Sequence, residues 1–294
     1  MSSTQPLLEP RSNLRMHREV LAWFEENKRD LPWRKSTPWG VVVSEFMLQQ
    51  TPVNRVLPIW IEWMERWPTP EDLASAKKSE LLKAWGRLGY PRRALRLHES
   101  ATIIAKEFNN QVPQTLEDLR KLPGVGEYTA AAIMAFAHKK ESLVLDVNIR
   151  RLFSRLLDGQ ELPPLHITNT ERQSRTELIP KQAHIWAAAT MELGALICTA
   201  TKPKCEICPL AHSCLWRASG YPPSQTTKKK VQKWHGTDRQ CRGVVIEHLR
   251  HTKKADQAKL AELWDNESQL EKCLAALLKD GLITQKNKSF SLVD

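Results

Sequence analysis

Apolar residues recur every three or four positions through most of the first 220 residues, and convincing period-two alternation is absent there. That spacing predicts helices around 79–90, 92–108, 115–122, 127–138, 147–157 and 182–197. Thr37-Pro38 offers a capping hydroxyl and then proline at a first helical position, so a helix with Val41 to Leu48 as its apolar body is expected. Pro58 marks the start of the next one. Glycine is scarce and several glycines mark helix ends, at Gly86 and Gly89, Gly124 and Gly126, Gly159, and Gly194.

After Gly220 the pattern changes. Residues 221–234 carry prolines, small polar side chains and the basic run Lys228 to Lys230, the composition of a linker. Those lysines read equally as solvated charge or as phosphate contacts. Helical spacing resumes at about 239–250, 257–264 and 267–279, and Gly281 to Val293 reads as a short hairpin turning near Asn287. Three helices and a hairpin suggest a small winged-helix-like α+β module over residues 235–294.

Composition narrows the partners. Hydrophobic residues make up 41% and charged ones 26%, which allows buried cores and argues against global disorder. A net charge of +11 favours a polyanionic partner, although charge speaks of association and not of fold. No run of about 18 apolar residues exists, so no membrane span is expected. The polar opening residues lack an apolar signal region, so the chain is read as intracellular, with reduced cysteines. Four of those cysteines cluster as C-x6-C-x2-C-x5-C at Cys198, Cys205, Cys208 and Cys214, which reads as a metal-ligand set before a disulfide framework. Four thiolates in one loop can hold a [4Fe–4S] cluster or a tetrahedral zinc, and thiol chemistry alone does not choose. Cys241 and Cys273 stand apart, in helical segments, as packing residues.

The strongest local motif is Leu122-Pro-Gly-Val-Gly-Glu-Tyr-Thr-Ala130, a turn of Gly124, Val125 and Gly126 between two helices. Its glycines let backbone approach a partner closely and its helix-start amides point outward, so a DNA phosphate is a natural guest. By physics alone the same turn serves as a plain connector. Together with Leu143-Val-Leu-Asp-Val-Asn-Ile-Arg-Arg-Leu-Phe-Ser-Arg155, Ser44-Glu-Phe-Met-Leu-Gln-Gln-Thr51 and the cysteine loop, however, it resembles the helix-hairpin-helix DNA glycosylase superfamily over about residues 20–220. The resemblance implies a mainly α, two-domain fold. An iron–sulfur domain comes from residues 1–33 and 147–220, a six-helix domain with the hairpin from 34–146, and residues 221–234 link both to the module 235–294. It also implies a [4Fe–4S] cluster on the four cysteines, whose spacing is similar to that in endonuclease III and in adenine glycosylases. Lys202 and Lys204 in that loop would then meet phosphates, or else remain an ordinary solvated turn.

Breaking an N-glycosidic bond calls for an acid at the leaving group and an anion beside an oxocarbenium-like transition state. Glu45 sits in an almost wholly apolar helical stretch, where burial favours the protonated form. Asp146 opens the helix Val147 to Leu157, where the dipole favours the ionised form. Taken alone, Asp146 reads as an N-cap and Glu45 as a helix glutamate with an exposed carboxylate. It is their joint place in the family motifs that implies catalytic roles. Tyr128 stands where members similar to endonuclease III have a Schiff-base lysine, and with the Ser-Glu-Phe-Met-Leu-Gln-Gln-Thr segment it looks like the adenine glycosylase (MutY-type) branch.

That branch resemblance makes Glu45 the donor to adenine N7 and Asp146 the electrostatic partner of the cation, with Tyr128 and Asn148 lining the sugar side. It puts Trp33, Arg34 and Glu192 around a flipped base and Gln49, Gln50 and Thr51 in a strand-probing segment. Two departures stand out. Tyr90 is followed by Pro91 where the family has a second tyrosine as a wedge, a role proline can also fill. The roughly 60 residues after the linker do not fit the Nudix-type module by which most such enzymes recognise 8-oxoguanine. The expected protein is a monomeric, monofunctional glycosylase acting on adenine opposite 8-oxoguanine or guanine in duplex DNA, in the cytoplasm or nucleoid if bacterial. Its rivals are a thymine mismatch glycosylase, a bifunctional pyrimidine-lesion lyase, and a non-catalytic iron–sulfur DNA-binding protein. Purified protein is expected to be yellow-brown, with about four irons per chain. A colourless, folded protein with one zinc and no iron would contradict the cluster.

Overall fold

The computed structural model describes residues 10–224 and 234–294, with side chains from Asn13 onward. Lys228 to Lys230 of the expected linker lie outside the described residues. The chain begins with α1 (Pro10–Asn27), α2 (Pro38–Leu48), α3 (Val53–Arg66) and α4 (Pro70–Ser75). It continues through α5 (Lys78–Ala84), α6 (Arg92–Glu107), α7 (Leu116–Lys121) and α8 (Glu127–Phe136). Then come α9 (Val147–Leu157), α10 (Asn169–Thr176), α11 (Ala183–Leu196) and the single-turn α12 (Leu215–Ala218). No helix among the described residues is long and apolar enough to cross a membrane.

These elements form two compact units, and the first takes the chain up to Pro38, residues 114–116 and the segment from Gly126 to the linker. Its core is built by stripes of helical spacing: Met16, Val20 and Phe24 on α1, and Ile149, Leu152, Phe153 and Leu156 on α9. They close around Trp186, Ala187, Ala189 and Leu193 of α11, with His17 edge-on to Trp186 at 4.6 Å. At Gly194, α11 comes so near the first turn of α9 that a Cβ would lie 2.7 Å from the Asn148 carbonyl oxygen. Only glycine allows that approach.

The second unit takes residues 39–113, 117–125 and the segment beyond the linker. Its α2 is buried from Trp39 through Met47. Tryptophans wall it: Trp39 Nε1 donates to the Trp67 carbonyl at 3.1 Å, Trp60 Nε1 to that of Gly40 at 2.8 Å, and Trp63 lies edge-on to Trp67 and Trp85. Pro58 does not start a helix, contrary to the sequence expectation. It sits inside α3, which begins at Val53 behind Pro52 as N-cap. Pro58 is on the exposed side, and the strong apolar face of Val56, Trp60 and Trp63 holds the helix together around the one missing amide.

The last 60 residues supply α13 (Asp238–His251), the two-residue strand β1 (Ala255–Asp256), α14 (Gln257–Ala261), α15 (Glu267–Lys279), β2 (Ile283–Lys286) and β3 (Ser289–Leu292). The sheet is antiparallel in the order β1-β3-β2, with Ile283 opposite Leu292 and Gln285 opposite Phe290. Its hairpin turns at Asn287 and Lys288, whose φ values of 47° and 63° are those of a primed two-residue turn. Cys241 and Cys273 are both buried there, on α13 and α15. The module rests on α5 and α6: Arg250 Nε donates to the Leu82 carbonyl at 2.9 Å, and Arg92 pairs with Asp280.

Gly194→Ala is expected to destabilise the protein by about 1–3 kcal/mol, as overpacking against backbone does. Denaturant unfolding with an unchanged midpoint would mean that α9 and α11 move apart freely.

Candidate active site and cluster loop

Asp146 caps α9. Its Oδ1 accepts from the Ile149 amide at 2.6 Å and its Oδ2 from Asn148 Nδ2 at 2.7 Å. Burial pushes its pKa above the ordinary 3.8, and the donors from Ile149 and Asn148, with Arg151 nearby, oppose that rise without cancelling it. The helix-start donors pull toward the ionised form, as the sequence suggested, while loss of water sets the net direction of the shift. Arg151 organises the neighbours: Nη2 reaches Asn148 Oδ1 at 2.8 Å and the Gly194 carbonyl at 2.7 Å, and Nε reaches the Cys198 carbonyl at 2.7 Å. One buried guanidinium thus connects the amide that holds Asp146, the close approach of α11, and the first cysteine of the loop. Tyr128, the second residue of α8, is half-buried against the same core.

Trp33 and Arg34 lie in a 3₁₀ turn, Pro32–Lys35, with Trp33 buried. Glu192 is buried on α11 and takes both nitrogens of the Arg29 fork at 2.8 Å, the Arg29 amide at 2.9 Å, and Arg34 Nη2 at 3.0 Å. Burial disfavours its charge, yet the two arginines hold its pKa below the ordinary glutamate value. Glu192 is thus an acceptor locked between cations, and it fixes the Trp33 turn onto α11.

All four clustered cysteines line one cavity with Leu152, Leu156, Ile197, Leu210 and Trp216. Burial pushes the Cys208 thiol up to about 11 and raises Cys214 as well, and charge on the neighbouring cysteines adds to both rises. Four thiolates are stable together only around a cationic centre, so the donor set fits an iron–sulfur cluster. Arg155 braces the loop: its Nη1 lies 3.4 Å from Cys198 Sγ and 2.7 Å from the Thr199 carbonyl, and its guanidinium lies over Trp216 at 4.5 Å. Lys202 and Lys204 are exposed on that loop.

In the second unit, Glu45 is buried on α2, only 7% exposed, so its carboxyl is not the solvated one that a lone helix glutamate suggests. The segment after it is organised by Arg93. Its Nη1 donates to the carbonyls of Phe46 at 2.9 Å and Met47 at 3.1 Å, and also to that of Gln49. Its Nη2 reaches Thr51 Oγ1 at 2.9 Å and the Gly89 carbonyl at 3.0 Å. Burial lowers the Arg93 pKa to about 10, so it stays charged at neutral pH. One guanidinium therefore ties the Gln49–Thr51 turn to the Gly89–Tyr90 turn. Each turn exposes a residue in the left-handed region, Gln50 at φ 57° and Tyr90 at φ 49°. Pro91 serves as the N-cap of α6, a use of its fixed φ that explains proline after Tyr90. In the hairpin, Gly124 has φ +87° and a Cβ there would meet Phe46 at 2.9 Å, while Val125 is buried. Gly126 is the N-cap of α8.

Sequence reasoning missed Arg29, Arg93, Arg151 and Arg155. The available signal was weak, namely two arginines at positions 151 and 155 beside the apolar stripe of α9.

A model of the HhH-GPD superfamily base excision DNA repair proteins matches residues 43–177, and one of the iron–sulfur binding domain of endonuclease III matches residues 198–214, which begin and end on clustered cysteines. The chain is 45% identical over 271 residues to an adenine DNA glycosylase of Mycolicibacterium smegmatis, covering 91% of this chain and 92% of that one. It is 44% identical to an adenine DNA glycosylase of Mycobacterium tuberculosis, over 90% of this chain and 89% of the relative. Matches of that extent cannot stop short of the C-terminal module. Among solved structures, a thermostable thymine-DNA glycosylase superposes with a TM-score of 0.64 at 26% identity, over 70% of this chain and 97% of that one. The chain therefore belongs to the adenine DNA glycosylase family of the helix-hairpin-helix superfamily and carries a [4Fe–4S] cluster.

Proposed function

We propose that this protein hydrolyses the bond between adenine N9 and the sugar in duplex DNA, where adenine is mispaired with 8-oxoguanine or guanine, and leaves the strand intact. The identity to adenine DNA glycosylases across nine-tenths of the chain carries the choice of base. Glu45, buried on an apolar helix, donates its proton to adenine N7 as the N9–C1′ bond breaks. Asp146 supports the positive charge that develops on the sugar, and Asn148 holds that carboxylate in place. Water adds at C1′, its spare proton leaves to solvent, and free adenine and an abasic sugar result. Tyr128 carries no amine for a Schiff base, so strand cleavage does not follow. The [4Fe–4S] cluster would brace the Cys198–Cys214 loop, and Gly126, Lys202 and Lys204 would take backbone phosphates along with Gly124 and Val125. Trp33, Arg34 and Glu192 would form the wall beside the extruded base. Gln49, Gln50, Thr51 and Tyr90 would probe the strand around the opposing base. The protein acts as a monomer.

Duplexes holding A opposite 8-oxoguanine, A opposite G, and T opposite G discriminate the readings by which base is released. Adenine release from the first two, with an abasic strand that breaks only in hot alkali, is expected; thymine release instead would shift the assignment to the thymine mismatch enzymes. Glu45→Gln is expected to lose about 10²–10⁴ in single-turnover rate while still binding DNA. Asp146→Asn should lose about 10²–10³.

The pH profile follows from the raised Asp146 pKa. Only the ionised carboxylate supports the cation, so the rate climbs as pH rises through that pKa, and the acid limb lies above the ordinary aspartate value of 3.8. Residual activity of Asp146→Asn should lack this limb. An identical limb in that variant would take the role away from Asp146.

A further inference from the structure

The C-terminal module brings an aromatic–guanidinium cluster to the Tyr90 turn. Arg239, in the first turn of α13, has its guanidinium 4.8 Å from the centre of the Tyr90 ring and 5.4 Å from that of Trp234. Both rings remain open to solvent, Tyr90 at 45% and Trp234 at 47% exposure. The cluster is held in place from below. Thr237 caps α13 and its hydroxyl donates to the Trp234 carbonyl at 2.8 Å, while Gln269 Nε2 donates to the Gly236 carbonyl at 3.1 Å. The indole edge packs beside α13, where a Cβ at Gly243 would lie at an ordinary contact distance of 3.9 Å from Trp234 Cη2. Arg93 fixes the other side through the Gly89 carbonyl. The α13 arginine at 242 and Arg92 both face Asp280, and Arg87 pairs with Glu247, whereas Arg239 leans on two rings.

We propose that Trp234 and Arg239 form a DNA-contact site of the C-terminal module, continuous with the Tyr90 turn, which adds to the grip on duplex DNA. The inference rests on the reading of that turn as one that meets DNA. The chemistry is that of nucleic-acid binding elsewhere: an exposed ring face stacks on a base or sugar, and a guanidinium already aligned by rings meets a phosphate without losing further freedom. The alternative is a fastener that only attaches the module to the Tyr90 turn. Against it stands the solvent-facing area of both rings, which a fastener would bury. The net charge of +11 supplies the complementarity to a polyanion.

The test is fluorescence anisotropy of the full-length protein on a duplex whose adenosine, opposite 8-oxoguanine, carries a 2′-fluorine and resists hydrolysis. A matched A·T duplex serves alongside. Trp234→Ala and Arg239→Ala should each weaken binding to both duplexes about five- to tenfold, and Arg239→Ala should shallow the salt dependence by about one phosphate. Trp234→Phe should restore most of the affinity, and single-turnover base release at saturating enzyme should stay within about twofold of wild type. Wild-type affinity and salt slope in both alanine variants would overturn the proposal. So would weakened binding by Trp234→Ala that Trp234→Phe fails to restore, because the indole would then be holding the module and not DNA. If Trp234→Ala loses helix content, the salt slope of Arg239→Ala decides. Binding is read without catalysis, so a wild-type protein that releases another base would overturn the assignment of substrate and leave this result standing.

Discussion

A carboxyl group buried in a protein needs donors to replace the water it has lost, and those donors must be held in turn. Around Asp146 this requirement reaches back to one close approach, that of α11 at Gly194 to the Asn148 carbonyl. Because no side chain stands between the helices there, Arg151 can span the Gly194 carbonyl, Asn148 Oδ1 and the Cys198 carbonyl at once. Asn148, fixed on one side by Arg151, offers its Nδ2 to Asp146. Remove the approach and the arginine cannot satisfy all three acceptors. Leaving such a buried charge half-paired costs several kcal/mol.

The second unit solves a similar problem with a different arginine. Helix α2 ends with carbonyls that no later amide within it can satisfy, and Arg93 takes those of Phe46 and Met47 while also holding Thr51 and Gly89. Two turns that present left-handed residues, Gln50 and Tyr90, are thereby set by one rigid fork. Left-handed backbone at non-glycine residues costs of order 1 kcal/mol or more each and persists where the surroundings dictate it. A buried guanidinium with six acceptors, the carbonyls of Phe46, Met47, Gln49, Leu88 and Gly89 and the Thr51 hydroxyl, is such a surrounding.

Much of this was legible in the sequence where local rules dominate. The stripe of α9 gave its limits as residues 147–157, and α15 likewise matched 267–279, because cap, apolar period and end signals agree there. The hairpin turn at Asn287 followed from strand spacing. Pro58 misled, since a proline on an exposed face can be carried by the burial of Val56, Trp60 and Trp63 around it. Helix α10 escaped the pattern because, of its eight residues, only Arg175 is buried. The motifs pointed to the candidate site residues but not to the partners that hold them. Arg29 and Glu192 are 163 positions apart in the chain, and nothing local predicts that pairing. The depth of Glu45 likewise depends on packing by several helices, and the upward pull on Asp146 on how much water they exclude.

Arg151, through Asn148, sets the geometry of the Asp146 cap. Arg151→Lys keeps a positive charge on a single donor group that cannot span the three acceptors. Its single-turnover base release from A opposite 8-oxoguanine should be measured beside its iron content and DNA affinity. The expected result is wild-type iron and affinity with a rate lowered by about tenfold or more, as misplacement of a supporting charge produces. A variant that retains iron, binds normally and releases adenine at the wild-type rate would contradict it.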